Sequence, residues 1–410
     1  MGAPLPPVPT GLDLPTQPNL TRMRRERGTR LRSAMADKGL DALILLSNAN
    51  VSYATAASWP LGDAGRGNVE RPVAVVLADD EVPHLFTPFL TDAARLDLDD
   101  DHLHGPTFLD ADEGVEAFAD VLAGLLPATA TVAVDEVTGA MNHDRDLLFA
   151  DWPPRAASEV MSAARVIKTP DELACLRHAL RITEQAMADV QARLAPGARQ
   201  TDLTATFLHR AFELGAEANV LDPIWQVMPD HQADLPWTVH GDIACPLLST
   251  ERELAQGDVL WVDTGIMYRG FHSDFGRTWV VGQDPTARQQ AQHARWGEIN
   301  DAVGSVMRAG VPASDLTAAA MQVCGGDRPW MSHFYLGHGL GLDSAEAPYV
   351  GTDLGDDYDR RLVLAAGMVL VIEPVVWDEG HSGYRSENVF VITDDGGVNL
   401  TDYPYDPYGD

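Results

Sequence analysis

Residues 259–281 read VLWVDTGIMYRGFHSDFGRTWVV. A run of strand-forming residues leads into Asp263, a second run follows Asp274, and Arg269 and Gly270 lie between them. The separation of 11 residues between the two acids fits two antiparallel strands joined by a turn around Arg269 and Gly270. An isolated ionised carboxylate inside a sheet is expensive, so it must be paired, protonated or bound to a metal. Two such acids brought together raise each other's pKa unless a cation sits between them.

The same anomaly recurs further along the chain. Glu373 lies inside the apolar run MVLVIEPVV, residues 368–376, and Glu387 opens the apolar part of SENVFVIT, residues 386–393. An imidazole complements these acids in YLGHGLGLDSAEAP, residues 335–348, where His338 is flanked by Gly337 and Gly339 with Gly341 beyond. That glycine spacing is not the G-x-G-x-x-G of a dinucleotide cradle. It does permit close backbone approach and leaves the imidazole room. Four carboxylates and one imidazole suit a hard or borderline divalent cation such as Mn²⁺, Co²⁺, Fe²⁺ or Zn²⁺.

Working outward, the spacing predicts three regions: a proline-rich leader over 1–19, an α/β domain over 20–155, and an α+β domain over 156–410. In the first domain a basic helical pattern ends at Gly39, and strands follow at 40–46, 72–78, 84–89 and 131–137, with a helix over 111–125. In the second, Thr169, Pro170 and Glu172 form a capping-box signature ahead of a long amphipathic helix. Helices are expected at 203–214 and 289–307 as well.

The composition narrows the function. With 61 acidic against 29 basic residues, a formal net charge of -32 argues against a nucleic-acid grip. Nothing reaches 18 uninterrupted apolar residues, so no membrane association is expected, and the chain reads as soluble and cytoplasmic. Cys175, Cys245 and Cys324 are widely spaced and odd in number, which points to reduced thiols.

The motifs D-T-G at Asp263, S-D-F-G-R-T at 273–278, G-H-G-L-G at 337–341, I-E-P at 372–374 and Y-R-S-E-N at 384–388 together resemble the M24 metallopeptidase and creatinase family. The stretch from Leu31 to Thr55 resembles that family's amino-terminal domain. The resemblance implies a pita-bread catalytic domain, a duplicated antiparallel sheet covered by helices, behind a smaller α/β creatinase-type domain. It implies two divalent metal ions, Mn first and Co, Zn or Fe as alternatives. Asp263 would chelate one ion, Asp274 and Glu387 would bridge both, and His338 and Glu373 would complete the second. A hydroxide held between the ions would be the nucleophile, and Glu373 would also take the proton from the attacking water. Arg385 would neutralise and orient the acids. His240 would contact the substrate carbonyl and stabilise the tetrahedral intermediate, His333 would line the pocket, and the chain would be a homodimer.

The pattern departs from the family at one point. Seven residues after His338, where the peptidases carry a further histidine, this sequence has Ala345. The leading expectation is hydrolysis of X-Pro bonds in dipeptides or short peptides. Ala345 leaves open a non-peptidase enzyme acting on a small zwitterion, an osmolyte hydrolase or dimethylsulfoniopropionate-type lyase. A metal-binding scaffold without catalysis is a third reading, which retention of all five ligands disfavours.

Overall fold

The computed structural model describes residue 12 and residues 14–59, 70–89, 98–232 and 249–403. They fall into two units, Pro18–Arg165 and a second that starts at Val166 and includes the described residues ahead of Pro18.

In the first unit, helix α1 (Leu20–Lys38) is capped by Asn19, whose side chain accepts from Arg22 N, and stops at Gly39 in the left-handed region. Strands β1 (Ala42–Leu45), β2 (Val73–Leu77), β3 (His84–Phe86), β4 (Leu103–His104), β5 (Val132–Val134) and β6 (Arg155–Ala156) form one sheet in the order β4-β3-β2-β1-β5-β6. Helix α2 (Asn48–Thr55) follows β1, and α3 (Asp112–Leu125) buries Val115, Phe118 and Leu122 among the apolar residues of the strands. Helix α4 (Ser158–Arg165) belongs to this unit, which ends at Arg165. Two long-range bonds hold α4 there: Tyr53 donates to Ala164 O at 2.7 Å and Arg165 to Asn50 Oδ1 at 2.8 Å.

The second unit opens on α5 (Pro170–Gln191), where Glu172 N donates to Thr169 Oγ1 and Thr169 N to Glu172 Oε2, the expected capping box. After α6 (Gln200–Glu213) come β7 (Ala218–Val227), β8 (Val259–Tyr268), β9 (Phe271–His272) and β10 (Phe275–Val280), an antiparallel sheet ordered β10-β8-β7 with β9 paired to β8. Arg269 and Gly270 both have positive φ, 53° and 80°, as a tight two-residue hairpin requires. Helices α7 (Ala287–Val306) and α8 (Ala313–Val323) lead to a second antiparallel sheet. It comprises β11 (Gly337–Gly339), β12 (Glu346–Val350), β13 (Val369–Ile372), β16 (Asn388–Ile392) and β17 (Gly397–Asn399), ordered β12-β11-β13-β16-β17. Between its strands, β14 (Val375–Trp377) and β15 (Gly383–Arg385) form a separate pair. One core lies between α5, α6 and the first sheet, and another between α7, α8 and the second. No described helix is long and apolar enough to cross a membrane.

Candidate metal centre

The two sheets deliver the acids by register. Asp263 on β8 pairs with Gly276 on β10, and Asp274 precedes Gly276 by two residues, so both carboxylates leave the same face of the sheet. Gly276 is needed for the third acid: a Cβ there would stand 2.8 Å from Glu387 Oε2. On the second sheet His338 pairs with Val371, and Glu373 follows Val371 by two residues, again on one face. Ile372 pairs with Asn388, and continuing that register by one step sets Glu373 against Glu387.

Side-chain contacts close the set. One carboxylate oxygen from each of Asp263, Asp274 and Glu387 lies within 4.8 Å of the other two. His338 Nε2 lies 3.2 Å from Asp274 Oδ2 and 3.5 Å from Glu373 Oε1. His338 Nδ1 is 2.8 Å from Gly339 O, a carbonyl that can only accept, so Nδ1 carries the proton and Nε2 is the free ligand atom. Arg385 spans two acids, donating to Asp263 Oδ2 at 3.2 Å and to Glu373 Oε2, and its guanidinium lies over the Trp261 ring at 4.3 Å.

All five donors are buried, and of the four carboxylates Arg385 pairs with two, Asp263 and Glu373. Burial pushes the Asp263 carboxyl up to about 7, with Arg385 opposing the shift and Glu373 adding to it. Burial, reinforced by the neighbouring carboxylates, drives Asp274 and Glu387 well above the ordinary carboxylate range. Two buried oxygens, Asp263 Oδ1 and Glu387 Oε1, have no hydrogen-bond partner. Converging buried carboxyls, two carboxylate oxygens without a hydrogen-bond partner and an imidazole nitrogen turned to the same spot are the donor set that a divalent cation requires.

The three glycines around His338 prove to be packing necessities. A Cβ at Gly337 would come within 2.4 Å of Val371 O, one at Gly339 within 2.3 Å of Ala347 O, and one at Gly341 within 2.4 Å of Glu346 Oε1. Glu346 is itself buried and accepts from Lys168 Nζ at 2.6 Å. That pair was not singled out from the sequence, although Lys168 is one of two lysines in an acid-rich chain. Arg277 was also missed: it is fully buried and donates to Gly276 O, Ser386 Oγ and Glu387 O, tying the Glu387 backbone to β10.

The histidines divide. His240 lies outside the described residues. His333 is not drawn into the cluster by any described contact; its side chain is 66% exposed and Nδ1 lies 2.7 Å from Asp353 Oδ2. Ala345 sits beside Ser344, whose Oγ lies 3.0 Å from Nδ1 of the buried His272, so an imidazole reaches this turn from β9.

Converging acids with one imidazole on two antiparallel sheets define a candidate divalent-metal centre. Residues 174–394 match the model of metallopeptidase family M24, and residues 27–167 match that of the creatinase/prolidase N-terminal domain. The first match takes in more than half of the chain, which therefore belongs to the M24 metallopeptidase family and has its pita-bread fold. Among relatives, the "Probable dipeptidase PepE" of Mycobacterium tuberculosis is 29% identical over 386 residues, covering 91% of this chain and 93% of the relative. The Xaa-Pro dipeptidase of Pyrococcus furiosus is 28% identical over 245 residues, 59% of this chain and 65% of the relative. Among solved structures, dipeptidase PepE from Mycobacterium ulcerans superposes with a TM-score of 0.72 at 25% identity, covering 94% of this chain and 97% of the other.

Proposed function

We propose that this metallopeptidase cleaves the X-Pro bond of dipeptides or short peptides, with Asp263, Asp274, His338, Glu373 and Glu387 holding two divalent cations, Mn²⁺ foremost. The observation that carries the metal reading is the pair of buried, partnerless oxygens, Asp263 Oδ1 and Glu387 Oε1, in a cluster to which His338 turns Nε2 toward Asp274 and Glu373. The relatives named for dipeptide and Xaa-Pro substrates support the substrate class. Cations held here supply Lewis acidity to the scissile carbonyl and make the attacking water more acidic.

The chain's own residues do the rest. Glu373, fixed by Arg385 through one oxygen and facing His338 with the other, takes the proton of the attacking water. Arg385 keeps Asp263 and Glu373 in register and offsets part of their charge. His240 is assigned to the substrate carbonyl, and the working form is a homodimer.

The test is a screen of full-length protein, stripped and reloaded separately with Mn²⁺, Co²⁺, Zn²⁺ and Fe²⁺, against X-Pro dipeptides, other dipeptides, longer X-Pro peptides and small zwitterions. X-Pro turnover that Asp274→Asn abolishes together with bound metal is the expected result. Turnover confined to a small zwitterion, or full activity after loss of the metal, would overturn the reading.

A further inference from the structure

Far along the chain from these acids, the first unit gathers three histidines and two aspartates at one sheet edge. Strands β3 and β4 run parallel with Leu85 beside Leu103 and Phe86 beside His104, so the residues one step earlier, His84 and His102, are neighbours. By alternation His84, Phe86, His102 and His104 share a face. The ring centroids agree: His84 is 4.7 Å from His102 and 5.2 Å from His104, and Phe86 stacks on His104 at 4.4 Å. Asp80, in the turn after β2, reaches the same point, with Oδ2 3.0 Å from His102 Nε2.

We propose that Asp80, His84 and His102 form a further divalent-cation site, suited to zinc, that cross-links the edge of this sheet. One ligand atom from each lies within 4.8 Å of the other two. Two ligands on a tetrahedral zinc, each about 2.0–2.1 Å from the ion, stand about 3.3 Å apart, so Asp80 Oδ2 and His102 Nε2 are already close to that spacing. The outer bonds have the form that metal-bound histidines use: His102 Nδ1 is held by Asp99 and His84 Nδ1 lies 3.0 Å from His104 Nε2, while His102 Nε2 is hydrogen-bonded to Asp80 Oδ2 and would give up its proton to the cation that joins the two. The Asp80 side chain is 34% exposed, so the fourth position is open to water. Two imidazoles and one carboxylate favour zinc over the harder ions that suit the acid-rich centre. The cation would join the turn after β2, the start of β3 and the entry to β4, an edge strand paired over two residues.

The experiment measures zinc per chain in full-length protein, stripped by chelator, reloaded and dialysed. Wild type is compared with His84→Gln, His102→Gln, Asp274→Asn and the double variant His84→Gln with Asp274→Asn. Wild type should hold one zinc more than either histidine variant. Asp274→Asn should keep a zinc that the double variant loses, and Co²⁺ loaded in its place should give visible absorption that disappears with His84→Gln. Mn²⁺-supported peptidase turnover should be the same in His84→Gln and wild type. Equal zinc in wild type and both histidine variants would overturn the proposal, leaving a hydrogen-bonded histidine cluster only. Circular dichroism confirms folding of each variant, and with two independent substitutions a folding failure in one leaves the other to decide.

Discussion

Arg385 bonds to both Asp263 and Glu373, and a lysine there has one point charge and no fork to span them. Arg385→Lys is therefore expected to lower turnover by about 10- to 100-fold while the protein remains folded, read from kcat alongside bound metal. An unchanged kcat would remove Arg385 from the positioning role. The buried acids also set a pH dependence for loading. In the metal-free chain Asp263 titrates near 7, and Asp274 and Glu387 lie well above the carboxylate range. Protonated carboxyls must lose their protons to bind a cation, so metal affinity should rise with pH through about 7, with protons released on binding. Calorimetry in two buffers of different ionisation enthalpy reads that release, and an affinity flat between about pH 5 and 8 would contradict it. These acids were legible because a charge inside an apolar run is a costly exception that the sequence displays directly. Lys168 and Glu346 were not, since they stand 178 residues apart and neither interrupts an apolar strand. His333 is placed differently from the acids. Five residues from His338 in sequence, it sits at positive φ, 59°, and its side chain meets Asp353 at the surface.

At the scale of elements, the site depends on register and on room for one sheet's acid against the other sheet's backbone. Gly276→Ala tests this without touching a ligand, because the new methyl would meet Glu387 Oε2 at 2.8 Å and must displace that carboxylate. A shift of about 1 Å in such a group is expected to cost about a hundredfold in turnover, with less metal bound per chain. Full metal content and full turnover would show that Glu387 has slack. Thr169→Ala is the control on the same unit. It removes the cap of α5 and should cost about 1 kcal/mol in denaturant melts while leaving kcat unchanged. The start of α5 was readable because a capping box is local chemistry, four residues long from Thr169 to Glu172. The ending of β13 was not, since MVLVIEPVV reads as one continuous apolar strand. Glu373 N still bonds to Leu336 O in the register of the ladder, but Pro374 has no N–H to continue it and Val375 N goes to Pro329 O, so the chain leaves the sheet just after Glu373.

Over the whole molecule, the charge of -32 complicates any measurement of specific metal binding, because a strongly acidic surface gains stability from added cations in general. The buried centre differs from that surface in kind. Its donors are removed from water, so bulk salt screens them poorly and only ions that enter the site relieve their repulsion. A cation bound to the folded state alone, at about 1,000 times its Kd, adds about 4 kcal/mol to stability per site. For a unit of about 260 residues that is a rise in Tm of about 8–16 °C for one site. Mn²⁺ added to the chelator-treated chain at about 1,000 times its Kd should therefore raise the melting temperature by about that much in buffer of physiological ionic strength, whereas added sodium chloride should not reproduce the rise. Asp274→Asn separates the two effects, because it deletes a buried donor and leaves the surface charge nearly unchanged. The Mn²⁺-induced rise should vanish in that variant, and a rise equal to that of wild type would mean that the cation acts on the acidic surface rather than on the centre formed by Asp263, Asp274, His338, Glu373 and Glu387.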